Sequence, residues 1–423
     1  VDDAEIVVVG AGLAGLRAAW RLAEAGREVL VLEAGDEVGG RERTRVVDGF
    51  RLDRGFHVLN PVYPAVRRWV DLDALELQYF GAGVEVRREH GRVTLAHPLR
   101  HPGLLPATLR SGLLRPRELA GLAAWAGPVL ADPRRVKNGP DDTLAARWDA
   151  LGVRGPLRTE ALEPFLAGVL AEDAGRTSDA FVRLLVRTFA LGRPAVPAQG
   201  IGALPRQLAR RATAAGARLG TGARVEDVTR SGARSTVRLA DGGRVTAAAV
   251  LVAVGAEAAP ALTGVEAAPT KGLTTWWFDA PGAPDSRFVA VDGRRSGPVL
   301  DTAVMSAVAP GYAPAGRTLV QATALLDASR PVTDAEALRQ TADIWGVDPA
   351  PWRLIARDDL PHALPEQPAP LSLRRPVRVG EGLYCCGDHR DTASIQGALV
   401  SGERAAAAVL ADLGHRPAGR AVD

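Results

Sequence analysis

Residues 384–402, YCCGDHRDTASIQGALVSG, gather Cys385, Cys386, Asp388, His389, Asp391 and Ser394 into one short stretch near the end of the chain. Thiols, an imidazole and carboxylates are what a metal ion or a nucleophilic site uses. The spacing argues against both. Neighbouring residues on a strand project to opposite faces, so adjacent thiols cannot converge on one ion. The chain's two cysteines also lack the paired spacing of a zinc site and cannot build a disulfide framework. No metal is expected, and both cysteines read as small buried packing residues in a reducing cytoplasm. His389 and Arg390 stay open between a solvated loop and a cavity wall.

A second constellation lies at the other end. Gly10, Gly12 and Gly15 form G-x-G-x-x-G between an apolar run, EIVVV, and an amphipathic segment, and Glu33 ends the next apolar run, VLVLE. Such glycines permit a tight turn and let a pyrophosphate approach a helix N-terminus, while the acidic residue accepts from a ribose diol. Gly10, Ala11, Gly12, Leu13, Ala14, Gly15, Glu33 and Ala34 are therefore assigned to a dinucleotide. Gly39 and Gly40 add a second glycine pair for the same pyrophosphate, and Arg41 a charge to lie against it. That is more than a nicotinamide dinucleotide needs.

Composition narrows the class. The 423 residues suggest two to three domain-sized units, and 47% hydrophobic with 24% charged residues is ordinary for a globular chain. A net charge of +3 without a basic run makes nucleic acid an unexpected partner. The sequence shows no secretory leader and no apolar run long enough to span a bilayer, although it could touch one. Only Lys137 and Lys271 are lysines among the 52 basic residues. Lysine can lose its charge near a site where arginine essentially cannot, so Lys271 draws attention.

The elements that must position these groups read as follows. EIVVVGAGLAGLRAAWRLAEAGREVLVLEAG is a βαβ unit, the start of a doubly wound α/β fold. Residues 81–97 alternate like edge hairpins, 99–131 read as short interrupted helices, and 132–143 as an exposed polar loop. Residues 157–191 look helical, broken at Pro164 and Gly168. Strands follow from VEDV to AAVLVAVG, and a second set runs from Lys271 to about Leu326. Trp276 and Trp277 alternate on one of these, so at most one faces a ligand. TDAE, 333–336, has capping-box spacing and opens a helix towards Trp345. GLYCC is a last strand, followed by a loop and a closing helix.

From Gly10 through GGRERT the chain resembles the FAD-containing superfamily of monoamine and polyamine oxidases, protoporphyrinogen oxidase and phytoene desaturases. DGFRLDRGFHVL is similar to the family segment that sets a glycine, here Gly55, beside the isoalloxazine. RVEDV resembles the strand whose valine, here Val225, contacts adenine. The C-terminal signature corresponds to Gly387, Asp388, Gln396, Gly397 and Ala398. The resemblance implies that Asp388 bonds the ribityl chain or a pyrophosphate-linked water, and that the helix N-terminus at Ile395–Ala398 faces the flavin N1 and O2 edge. It further implies a Rossmann-like, glutathione-reductase-type FAD domain from residues 1–80, 205–262 and 372–423. An α+β substrate domain would then come from 81–204 and 263–371. FAD is expected to be non-covalent.

In amine oxidases of this superfamily a lysine at a similar place holds a water at flavin N5, which makes Lys271 a catalytic candidate. His57, two residues after Gly55, is the second. The loop HRDTAS lacks the paired aromatics that guide an amine in those enzymes. The expected activity is therefore hydride removal from a C–H bond to flavin N5 on a bulky apolar, isoprenoid- or tetrapyrrole-like substrate. Oxygen is a possible acceptor, and the apolar middle segments are candidates for peripheral membrane contact. An amine oxidase releasing imine and peroxide, a flavin-dependent isomerase and a flavin-bound scaffold without enzymatic activity remain alternatives. Oligomeric state is left open.

Overall fold

The run Val29–Leu32 is apolar throughout, and Ala4–Val9 is so except at Glu5, because both faces of the sheet they form are covered. A computed structural model describes residues 3–137 and 139–414. In it, Ala4–Val9 pairs in parallel with Val29–Leu32 on one side and with Arg244–Val252 on the other, so that Ile6 faces both Val29 and Ala249. Arg218–Gly220 extends the sheet beyond Val29–Leu32. Arg234–Leu239 and Val225–Ser231 add antiparallel strands, and Leu383–Cys385 joins Arg244–Val252 in parallel. The helices Leu13–Glu24 and Ile395–Leu413 pack against each other on this sheet. Their crossing is closest at Gly402, where any Cβ would overlap the Ala14 carbonyl oxygen.

A second sheet has seven strands in the order Arg353–Pro365, Thr270–Asp279, Leu319–Leu325, Val299–Val304, Val289–Asp292, Gly83–Arg88 and Gly91–Ala96. All pairs are antiparallel except Val289–Asp292 with Gly83–Arg88. The helix Asp334–Trp345 buries its apolar stripe on one face, against Trp276, Phe278, Val320 and Ala322. Its cap is the expected one: Thr333 Oγ1 accepts from Glu336 N at 3.2 Å. The opposite face, with Trp277 and Ala303, packs on Phe50 and Leu52 of the strand Phe50–Asp53.

Three local expectations change. The helix Glu163–Leu170 runs straight through Gly168, and the chain breaks only at Ala171, φ +51°. Gly168 is there for close approach, since a Cβ would overlap the Asp301 carboxylate. Within 99–131 the helices Pro102–Leu104 and Leu105–Arg110 are short and interrupted as expected, but Pro116–Ala131 is one sixteen-residue helix with Pro128 inside it. The polar stretch 132–143 contains a short helix, Pro133–Lys137. Among the described residues no helix is long and apolar enough to cross a membrane.

Candidate cofactor and active site

The first glycine loop is built around space. Gly10 has φ +102°, and a Cβ there would sit 2.8 Å from the Ala253 carbonyl oxygen; a Cβ at Gly15 would overlap the Gly10 carbonyl. Gly12 differs: it precedes the helix Leu13–Glu24 as its N-cap, and a Cβ there meets no atom within 4 Å. Two glycines thus close the turn on itself and the third leaves room at a helix N-terminus, the arrangement a pyrophosphate requires. Gly39 N donates to Ala11 O at 2.9 Å, which fastens the second glycine pair to the first loop. At the end of Val29–Leu32, Glu33 Oε2 accepts from Ala11 N at 2.7 Å and Oε1 from Gly35 N at 2.8 Å. Ala223 N donates to Glu33 O at 2.8 Å, which brings Val225 and its strand alongside Glu33 and Ala34. These residues fit the adenosine and pyrophosphate half of FAD.

The C-terminal stretch closes on the same place. Arg41 Nη2 lies 2.6 Å from Asp388 Oδ2, and Arg41 Nη1 donates to Ala363 O at 2.8 Å. Gly387, at φ +151°, donates its N–H to Ser401 Oγ at 2.9 Å. Ser394 Oγ caps Ile395–Leu413 by accepting from Gly397 N at 3.1 Å. A Cβ at Gly397 would overlap Thr392 O, so the loop lies directly on the helix start. Ile395 and Ala398 turn their side chains into the core of the parallel sheet. Gln396 Oε1 accepts from Ala65 N at 2.8 Å and so serves the start of the helix Pro64–Trp69.

The cluster of reactive groups in this stretch is quiet. Burial raises the Cys385 thiol to about 11 and Cys386 well above the usual range, so neither is a thiolate at neutral pH. Cys386 packs in the sheet core; Cys385 Sγ lies 3.6 Å from His389 Nε2. Burial lowers His389 to about 4 against the pull of Asp388, leaving a neutral ring. His389 and Arg390 are both buried, which removes the solvated-loop reading. Among the described residues no group of His, Cys, Asp and Glu could hold a metal.

Gly55, φ +96°, lies under Leu360: a Cβ would come 2.7 Å from Leu360 Cδ1 and 3.7 Å from His57 Nε2. His57 Nε2 is held 2.9 Å from Arg54 O, folded back over Gly55. Burial keeps the Glu42 carboxyl above the usual range against the pull of Arg41 and His57, and Asp388 adds to the rise. Arg41, Glu42, His57 and Asp388 therefore share one electrostatic neighbourhood. Asp53, which the sequence left unassigned, pins the segment before Gly55. Its carboxylate accepts from Thr44 Oγ1 at 2.6 Å, Ile201 N at 3.0 Å and Tyr312 Oη at 2.9 Å.

Lys271 sits on the next strand over. It pairs with Leu364, four residues along the same strand from Leu360 above Gly55. Its Nζ donates to Leu170 O at 3.2 Å and to Thr177 Oγ1 at 3.0 Å. Burial lowers its pKa; Glu172 and Glu366 oppose the fall and Arg176 adds to it. The ammonium lines a small cavity of about 10 Å³ together with Phe181, Leu364, Gln367 and Ala393. Ala393 belongs to the loop before Ile395, so the second sheet and the C-terminal loop meet at Lys271. Beyond it the wall is apolar: Ala393 packs with Leu166, Leu170, Phe181, Val182 and Leu185.

A further polar set lies on the sheet face turned towards Phe56 and Val58. Register aligns Asp358, Thr275, Thr323 and Asp301 across four strands, with Trp277 and Gln321 in the next row. Thr275 Oγ1 and Trp277 Nε1 are buried without a hydrogen-bond partner among the described residues. Asp301 accepts from Gln321 Nε2 at 3.1 Å, and burial raises its carboxyl to about 6. Among the described residues it has no ion-pair partner. Thr, Gln and Asp at alternating positions of otherwise apolar strands were the available signal. Trp276, on the other face, donates to Asp334 Oδ1 at 2.8 Å and is covered by the helix.

With this geometry in view, comparison with known proteins is informative. The family model for flavin-containing amine oxidoreductases matches residues 13–410. Putrescine oxidase of Kocuria rosea is 47% identical over 74 residues, 18% of this chain and 16% of that protein. Carotenoid 3,4-desaturase of Haloarcula japonica is 49% identical over 51 residues, 12% of this chain and 10% of that protein. The chain thus covers only a small part of the curated relatives it matches. The crystal structure of an oxidoreductase from Methanosarcina mazei superposes with a TM-score of 0.72 at 18% identity, over 96% of this chain and 99% of that one. That likeness is one of fold.

Proposed function

We infer that this chain, which belongs to the family of flavin-containing amine oxidoreductases, is a dehydrogenase or desaturase that acts on a C–H bond of a bulky, largely apolar substrate. When bound, FAD supplies the two-electron acceptor for the hydride that leaves such a bond. The residues of the chain do the rest. The paired glycine loops and the Arg41–Asp388 contact hold the dinucleotide. Gly55 gives the ring a flat approach, His57 borders it, and Lys271 presents a half-buried ammonium from the strand beside Leu360. The observation that carries the substrate class is the packing of Ala393 among Leu166, Leu170, Phe181 and Leu185, which makes the wall beyond Lys271 apolar. FAD is held non-covalently in this reading, since both thiols are buried and protonated.

One observation favours a second reading. Among the described residues Asp301 is a buried carboxylate without a cation, on the sheet face that also carries Thr275 and Gln321. A buried carboxylate of this kind suits the ammonium of an amine substrate. Anaerobic titration of the FAD-loaded protein with isoprenoid, porphyrinogen and amine panels tests both. Flavin bleaching by an apolar substrate supports the first reading and bleaching by amines alone the second. An oxidised spectrum unchanged across every panel would remove both. Oxygen or another acceptor completes the cycle, and peroxide assay of the bleaching substrate identifies which.

A further inference from the structure

We propose that Glu172 and Thr177 are positioning residues that aim the Lys271 ammonium into a chamber sized for one water, whose other polar wall is Gln367. The proposal rests on the reading above, in which Lys271 works at the flavin-facing wall, and adds what holds it there.

The argument is one of counting protons. A threonine hydroxyl has a single hydrogen. Thr177 Oγ1 lies 2.8 Å from Glu172 Oε1 and must donate to that carboxylate, which leaves a lone pair for Lys271 Nζ at 3.0 Å. Glu172 is itself immobilised: Oε1 accepts also from Thr177 N at 3.0 Å, and Oε2 from Ala174 N at 3.0 Å and Arg176 N at 3.4 Å. Of the three ammonium hydrogens one goes to Thr177 and one to Leu170 O at 3.2 Å. The third has no protein acceptor among the described residues.

Gln367 supplies the complement. Its Nε2 donates to Glu366 O at 3.1 Å, which fixes the amide, and its Oε1 is buried without a partner among the described residues. Lys271, Thr177 and Gln367 line the same cavity of about 10 Å³, at the lower limit for one water. A water there accepts from Lys271 and donates to Gln367, and the rest of the lining, Val169, Leu170, Phe181, Leu364, Pro365 and Ala393, is apolar in its side chains. The Thr177 hydroxyl stands between Lys271 and Glu172, so the ammonium is stabilised without being used up.

Two lysines in the chain make the test simple. FAD-loaded protein labelled with [13Cε]lysine gives two resonances, assigned with Lys137→Arg, and the pH titration of the second reads Lys271 directly. The groups facing it are Glu172, Glu366 and Arg176. Glu172→Gln and Thr177→Val should each lower its midpoint by about one pH unit, a tenfold change in the protonation equilibrium. Thr177→Ser should restore it. Gln367→Leu, which leaves the water no acceptor, should lower it as well. An unchanged midpoint in Thr177→Val, or a Thr177→Ser value equal to that of Thr177→Val, overturns the positioning role. An unchanged Gln367→Leu value overturns the chamber. Failure of the underlying reading shows separately, as flavin reduction and reoxidation rates unaltered in Lys271→Met.

Discussion

Arg41 Nη2 lies 2.6 Å from Asp388 Oδ2, a contact that spans almost the whole chain and joins the second glycine pair to the C-terminal clamp. Burial opposes the charge on Arg41, yet Asp388 and Glu42 raise its pKa overall, so it stays a cation on which a pyrophosphate can rest. Arg41 is about a third exposed, which screens the pair and limits its worth to stability. Its effect should fall on cofactor affinity. Arg41→Ala is expected to weaken FAD binding by about tenfold or more, roughly 1.4 kcal/mol. Flavin fluorescence titration of apoprotein measures it, and wild-type affinity in Arg41→Ala would take this residue out of the site.

The three glycines of the first loop should separate by phenotype. A methyl at Gly12 meets no atom within 4 Å among the described residues, whereas one at Gly10 or Gly15 strikes backbone. Gly12→Ala should therefore keep the thermal stability of the apoprotein and lose FAD affinity. Gly15→Ala should lose stability first, by about 1–3 kcal/mol for an overpacked site. Melting curves of the apoproteins alongside FAD titration decide. Equal destabilisation by Gly12→Ala would show that its free space is not reserved for a ligand.

How much of this could be read in advance follows from where each signal lives. Gly10, Gly12, Gly15 and Glu33 are local in sequence and bound to one strand-turn-helix geometry, so the α/β fold and a dinucleotide site were legible from them, and Gly39, Gly40 and Arg41 just beyond extended that to the flavin family. Glu172, Thr177 and Gln367 were not. They meet Lys271 across roughly a hundred residues in each direction, and only the pairing of Lys271 with Leu364 makes them neighbours. Gly168 misled for a related reason. Local propensity marks glycine as a breaker, but the contact that selects it is with Asp301, on another element. Gln396 matched a motif, yet its side chain serves Ala65.

Asp301 gives a pH dependence with a definite sign. Its folded-state carboxyl titrates near 6, raised from 3.8 by burial, so its contribution to stability is present below the unfolded value and is lost as pH rises through about 6. At pH 7 the ionised group costs on the order of 3 kcal/mol. Asp301→Asn should accordingly be more stable than wild type at pH 7, with the difference vanishing by about pH 4. Urea melts at both values check it. If Asp301 receives a substrate ammonium, an amine ligand will raise the melting temperature of wild type and not of Asp301→Asn.

The segment between Glu89 and Glu118 holds five arginines and no acid, and it carries exposed leucines: Leu99 is 87% and Leu109 63% accessible. The short helix Leu105–Arg110 buries none of its side chains. Leucines held in water beside Arg110, Arg115 and Arg117 suit the surface of an anionic bilayer, where each cation near the headgroups contributes about 1 kcal/mol and each leucine adds apolar area. An apolar substrate would be drawn from that phase. Sedimentation with phosphatidylglycerol-containing vesicles should retain the protein, and phosphatidylcholine alone should not. High salt should weaken retention. Leu99→Ser with Leu109→Ser should reduce it several-fold without changing FAD affinity, since neither residue lies near the glycine loops. Retention independent of lipid charge and of both leucines would assign this patch no membrane role.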